Sequence, residues 1–184
     1  AVCWGARGGV NATFKQAGES PAIAPQGFGD FNAAAIFAGG ITAALYQRER
    51  TGIGDKVTIN LYHVAVWGHS HGIQSHQFGA EYPCDRAKVN NPFNNTYQSK
   101  DGVWFLICLP DYDRYFNAIM TMLGFPELVD DPELHTLEAV RDNAQQAYMV
   151  SKIGEGFAKK DYDEWDDILL REEVPHQKLF DYND

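Results

Sequence analysis

The chain has 184 residues, 45% of them hydrophobic and 13% aromatic, enough for one domain or two small ones around a packed core. Its net charge of −10 disfavours nucleic acid as a partner, and no uninterrupted apolar run reaches the roughly 18 residues of a membrane span. Cys3, Cys84 and Cys108 stand at no metal-ligand spacing, which predicts a reducing, cytoplasmic setting and no disulfide framework.

The charge is uneven. Residues 1–61 carry five Lys/Arg against four Asp/Glu, whereas residues 101–184 carry seven against nineteen. An anionic ligand therefore suits the first hundred residues, and a solvated acidic helical surface accounts for the rest. The chain opens on Ala1-Val2-Cys3-Trp4, without a basic leader or an initiator Met, which predicts a piece of a longer polypeptide.

In chain order, residues 31–48 read as a helix. Ala33 to Ala38 and Ile41 leave it no polar face, which predicts burial. Arg48 and Arg50 suit its negative end, and Gly52 stops it. Val57-Thr58-Ile59-Asn60-Leu61 alternates as a strand, and a further helix is expected from Tyr62 to Gln77. Glu81 to Asn95 has no period and reads as a linker.

Thr96-Tyr97-Gln98 and the apolar Val103–Leu109 predict a hairpin around Ser99-Lys100-Asp101-Gly102, with Trp104 and Leu106 in a core beside Phe116, Leu123 and Trp165. Asp111 is a helix cap with Gly124 as the stop, and Asp131-Pro132 is a second helix start. Asp161 to Glu164 forms a capping box ahead of Trp165, Ile168 and Leu169. The expected fold class is α/β: part of a large domain over 1–61, helix and linker over 62–94, and a small α+β domain over 95–184.

Two clusters could carry chemistry. Gly27-Phe28-Gly29-Asp30-Phe31 places the one carboxylate of this stretch at the mouth of an apolar helix. Asp is an ordinary N-cap, which is the plain reading. The chemical reading is that the helix dipole and a dry surround make its carboxylate a nucleophile toward an activated acyl group. Gly27 and Gly29 then admit a ligand close to the backbone and leave amides as oxyanion donors. The second cluster, His69, His71 and His76, has no carboxylate to complete a ligand set, so it reads as polar helix positions and no metal is expected.

Gly29-Asp30-Phe31, the small-residue helix, and Gly40-Ile-Thr-Ala-Ala-Leu-Tyr-Gln-Arg-Glu-Arg-Thr-Gly-Ile-Gly-Asp-Lys-Val-Thr-Ile-Asn-Leu61 resemble the signature of the family III CoA-transferases. Tyr82-Pro83, Asn91-Pro92-Phe93, Tyr97 to Asp101, Cys108 to Asp113 and the stretch from Glu164 to Pro175 extend the likeness along the chain, nearest to the branch acting on 2-hydroxy and enoyl acids.

The resemblance implies a Rossmann-like large domain of which only part is present, followed by the linker and small domain. It implies an interlocked homodimer for the full-length protein, acyl-CoA and carboxylic acids as substrates, and no permanently bound cofactor. Asp30 falls on the family's catalytic aspartate. Gly27, Phe28, Gly29, Phe31, Leu61, Asn91 and Phe93 fall on positions lining the substrate and coenzyme A site. The loop from Asn90 to Asn95 stands where some members carry a glycine-rich lid. Two alternatives stay open: an α-methylacyl-CoA racemase of the same fold, with Asp30 as an acid/base group, and a folded fragment without chemistry.

Overall fold

The computed structural model describes residues 3–183. It divides into two compact units, residues 1–84 and residues 85–184. Residues 85–94, read above as linker, are counted with the second unit, and Phe93 lies in its core.

The first unit is helical. Two short helices, α1 (Cys3–Arg7) and α2 (Val10–Thr13), precede a loop and the 24-residue α3 (Phe28–Thr51). The helix α3 starts three residues earlier than the sequence suggests, because Gly27 takes the N-cap with a left-handed φ of 79°, a conformation costly for any residue with a Cβ. Asp30 is therefore the third residue of the helix and not its cap.

The predicted burial of α3 does not hold either. Only Gly29 and Ala33 are buried, while Phe31, Ile36, Phe37, Ile41 and Leu45 are exposed. Within this unit α4 (Leu61–Gly68) and Val57 lie against it, and much of its apolar surface stays open. By length and composition α3 is long and apolar enough to cross a membrane, a property that the test of uninterrupted apolar runs did not register.

Residues 53–60 form no strand, and among the described residues no strand pairs with them. Leu61 accordingly does not end a strand. It is the first residue of α4 (Leu61–Gly68), whose cap Asn60 accepts from the His63 amide at 2.9 Å. The helix expected from Tyr62 to Gln77 is two, α4 and α5 (Ser70–Gln77), broken at His69. His69 is not a polar surface position: it is buried, with Nε2 3.0 Å from Thr13 Oγ1 and its ring 5.4 Å from that of Phe14.

The second unit holds a three-stranded antiparallel sheet in the order β1 (Asn94–Gln98), β2 (Trp104–Cys108), β3 (His176–Lys178). It shares one buried core with α6 (Tyr112–Leu123), α7 (Leu137–Asp142), α8 (Gln146–Phe157) and α9 (Tyr162–Arg171). Asp111 caps α6 and Gly124 ends it, as expected. The capping box of Asp161 and Glu164 is present on α9.

Asp131-Pro132 starts no helix. Asp131 instead accepts from the Glu133 amide in a turn, and Thr136 caps α7. The strand phase of β2 is the reverse of that expected: Phe105 and Ile107 are fully buried, while Trp104 is 38% exposed and Leu106 half-buried. Around Phe157 the rings of Tyr97, Phe105 and Trp165 lie at 5.4, 4.9 and 5.2 Å between centroids, an edge-rich aromatic core.

Candidate active site

The first turn of α3 is shaped by what lies against it. Trp4, on α1, packs over Gly29 so closely that a Cβ there would fall 2.3 Å from the indole Cε2. The same indole stacks with Phe28 at 6.0 Å between centroids. Gly29 is thus needed for close approach, and Trp4 is the residue that needs it.

Asp30 is exposed and lines a cavity of about 270 Å³ together with Trp4, Asn11, Ile23, Pro25 and Gly27. Among the described residues it is the only carboxylate on that wall. The loop that forms the far wall is tied down where the Asn11 amide donates to the Ala22 carbonyl at 2.5 Å. At the helix mouth the Phe28 amide donates to the Pro25 carbonyl at 3.2 Å and the Phe31 amide to the Gly27 carbonyl at 2.9 Å. Neither the Gly29 nor the Asp30 amide donates to a protein carbonyl among the described residues. An uncompensated helix N-terminus with two free amides attracts negative charge, including that of Asp30 itself and of an oxyanion beside it.

The remaining residues expected at the site fall into two groups. In the first unit, Gly27, Phe28, Gly29 and Phe31 surround Asp30 on α3, Phe31 being 77% exposed and Phe28 46%. Leu61, half-buried, opens α4, which packs against α3. In the second unit, Asn91 serves its own loop: Nδ2 donates to the Leu109 carbonyl at 3.0 Å and Oδ1 accepts from the Phe93 amide at 2.9 Å.

Phe93 is fully buried and stacked on Tyr112 at 4.4 Å, so its ring is core and offers no surface to a ligand. Trp4 and Asn11 were not among the residues expected at the site. Their only sequence signal was a Trp–Gly-rich opening with no periodicity. Among the described residues no three His, Cys, Asp or Glu side chains are grouped to hold a metal ion.

The sequence model of CoA-transferase family III matches residues 2–184. A cinnamoyl-CoA:phenyllactate CoA-transferase of Clostridium sporogenes is 37% identical over 174 residues, covering 92% of this chain and 42% of that protein. A (R)-2-hydroxy-4-methylpentanoate CoA-transferase of Clostridioides difficile is 32% identical, covering 95% and 43%. Among solved structures, a CAIB/BAIF family protein from Brucella suis superposes with a TM-score of 0.79 at 21% identity, over 97% of this chain and 47% of its own. A protein of M. tuberculosis does so with 0.79 at 20% identity, over 99% and 47%. These two share the fold. The chain spans about half the length of the curated relatives it matches.

Proposed function

The chain belongs to CoA-transferase family III, and we propose that Asp30 is the residue on which coenzyme A passes from one carboxylic acid to another. The observation carrying this reading is that Asp30 is, among the described residues, the sole carboxylate on a cavity wall at the open N-terminus of α3. The adjacent amides can receive the charge that develops on an acyl oxygen.

The chemistry follows from those groups. An Asp30 oxygen attacks the thioester carbon of the donor acyl-CoA; the C–S bond breaks, leaving a mixed anhydride and the coenzyme A thiolate. That thiolate attacks the Asp30 carbonyl carbon, releasing the donor acid as its carboxylate and leaving an aspartyl-CoA thioester. The acceptor carboxylate reverses the sequence: it attacks the thioester, expels the thiolate, and the thiolate then takes the acceptor acyl group. Asp30 returns ionised, and no proton is gained or lost overall.

The names of the two similar enzymes favour 2-hydroxy and enoyl acids as the acids exchanged. Gly27, Phe28, Gly29 and Phe31 would border the acyl group, with Leu61 toward coenzyme A. In the larger protein that the relatives' length suggests, further segments would supply most coenzyme A contacts and two copies would interlock as a homodimer.

The test is trapping. The active protein is incubated with cinnamoyl-CoA, digested and analysed by mass. The peptide containing Asp30 is expected to carry coenzyme A, or a hydroxamate after hydroxylamine. Uptake of solvent deuterium at the α-carbon of an α-methylacyl-CoA without any adduct on Asp30 would replace transfer with racemisation and make Asp30 a general base.

A further inference from the structure

The second unit contains a groove of about 600 Å³ that the site above does not use. That volume lies within the roughly 300–1,000 Å³ of small-molecule pockets. Its floor is one face of α8 and the C-cap that follows, where Ala147, Ser151, Gly154 and Ala158 keep side chains short and leave depth. One wall carries Trp104, the indole that the strand phase turns outward at 38% exposure.

The charge of this groove runs against its surroundings. Residues 85–184 carry ten Lys/Arg against twenty Asp/Glu, so the chain's whole net charge of −10 resides in this unit. Yet the residues lining the groove include Arg86 and Lys100 and no carboxylate. The Arg86 guanidinium lies 5.0 Å from the centroid of the Trp104 ring and donates from Nη1 to the Thr96 carbonyl at 3.0 Å, which fixes cation and ring as one shelf. Lys100 has Asp161 as its ion-pair partner at 3.9 Å, with both side chains more than half exposed, a contact weak enough for a ligand to displace.

We propose that this groove binds a small anion that carries a flat aromatic ring, the ring on the Trp104–Arg86 shelf and the charge at Lys100. Lys100, once released from its weak pair with Asp161, holds the anion, and the Trp104–Arg86 shelf selects the ring. An aryl carboxylate and a purine nucleotide share this chemistry. The first would make the groove a second station for the acids the protein handles, the second an effector site.

The experiment measures binding to the intact chain by titration calorimetry and by two-dimensional NMR. Four probes separate the terms: phenyllactate, AMP, inorganic phosphate and adenosine. One or both of the first two should bind saturably and shift the Trp104 indole and α8 amide resonances. Phosphate and adenosine, each lacking one element, should bind at least tenfold more weakly than AMP if AMP is the ligand. Trp104→Leu and Lys100→Glu, both surface changes, should each weaken binding about tenfold, and added salt should weaken it further. Asp30→Asn should leave it unchanged, which keeps this site separable from the proposed transfer site. Binding indifferent to both groove variants, equal binding of phosphate and AMP, or no saturable binding of any probe would overturn the proposal.

Discussion

At the scale of single residues, Gly29 is the position where geometry decides most. A methyl group there would meet the Trp4 indole at 2.3 Å, against ring atoms that cannot swing away without unstacking from Phe28. Gly29→Ala is expected to destabilise the first unit by roughly 1–3 kcal/mol, the usual cost of overpacking. Tryptophan fluorescence of the variant should show a more solvated Trp4, and an unchanged spectrum and urea midpoint would refute the contact.

Asp101 offers a pH test in the other unit. Its carboxylate accepts from Ser99 Oγ, chiefly, and from the Tyr162 amide, and these bonds hold its pKa below the ordinary carboxylate value. A folded pKa below the unfolded one means stabilisation present above the unfolded value, near 3.9, and lost as pH falls through the folded one. Asp101→Asn should therefore lower stability near neutrality and converge on wild type as pH falls through the folded value, which flattens that part of the acid limb. An acid limb identical to wild type would remove Asp101 from that role.

At the scale of elements, the capped helices were legible and the irregular ones were not. Asp111 and the Asp161–Glu164 box announce α6 and α9 because the side chain that satisfies the end amides is itself in the sequence. The expected outcome for Asp161→Ala is a loss of about 1 kcal/mol in the second unit. Glu164→Ala should lose less, since its bond to the Asp161 amide is long at 3.3 Å. Chemical denaturation of the two variants checks the ordering.

The start of α3 was misplaced because its cap is a glycine backbone conformation, which leaves no side-chain signal. The facing of β2 could not be read from Trp104-Phe105-Leu106-Ile107-Cys108, since a run apolar at every position has no phase. Strand β3, His176-Gln177-Lys178, is polar and three residues long, and it exists because the β2 edge is there to pair with. Asp30 could be singled out from its glycines and its helix, whereas Trp4 could not, because closeness between α1 and α3 is a tertiary fact. Phe93 failed for the converse reason: an aromatic in a loop looks available until the core it fills is seen.

At the scale of the molecule, burial is divided unequally. Among the described residues, twenty buried hydrophobic residues form the core of the second unit, whereas the buried hydrophobic residues of the first are Val10, Ala33, Val64 and Ala65. At roughly 1.5–3 kcal/mol for each large apolar side chain fully removed from water, the second unit holds nearly all of the hydrophobic stabilisation. The first unit meanwhile exposes Phe31, Ile36, Ile41, Leu45, Trp67 and Phe78. Two units so unlike in core should not share one unfolding transition.

The tryptophans report this directly, since Trp4 and Trp67 lie in the first unit and Trp104 and Trp165 in the second. In a 5-fluorotryptophan-labelled chain followed by fluorine NMR through a urea titration, the Trp4 and Trp67 signals should reach their unfolded positions first. Trp165, fully buried with Nε1 bonded to the Phe157 carbonyl at 2.8 Å, should move only in a later, cooperative step shared with Trp104. Trp165→Ala, expected to cost about 3–5 kcal/mol, should bring that later step toward the first without shifting the Trp4 and Trp67 midpoints. Four signals moving together in the unmodified sequence would mean that the first unit draws its stability from contacts beyond its own four-residue core, and the division argued here would fall.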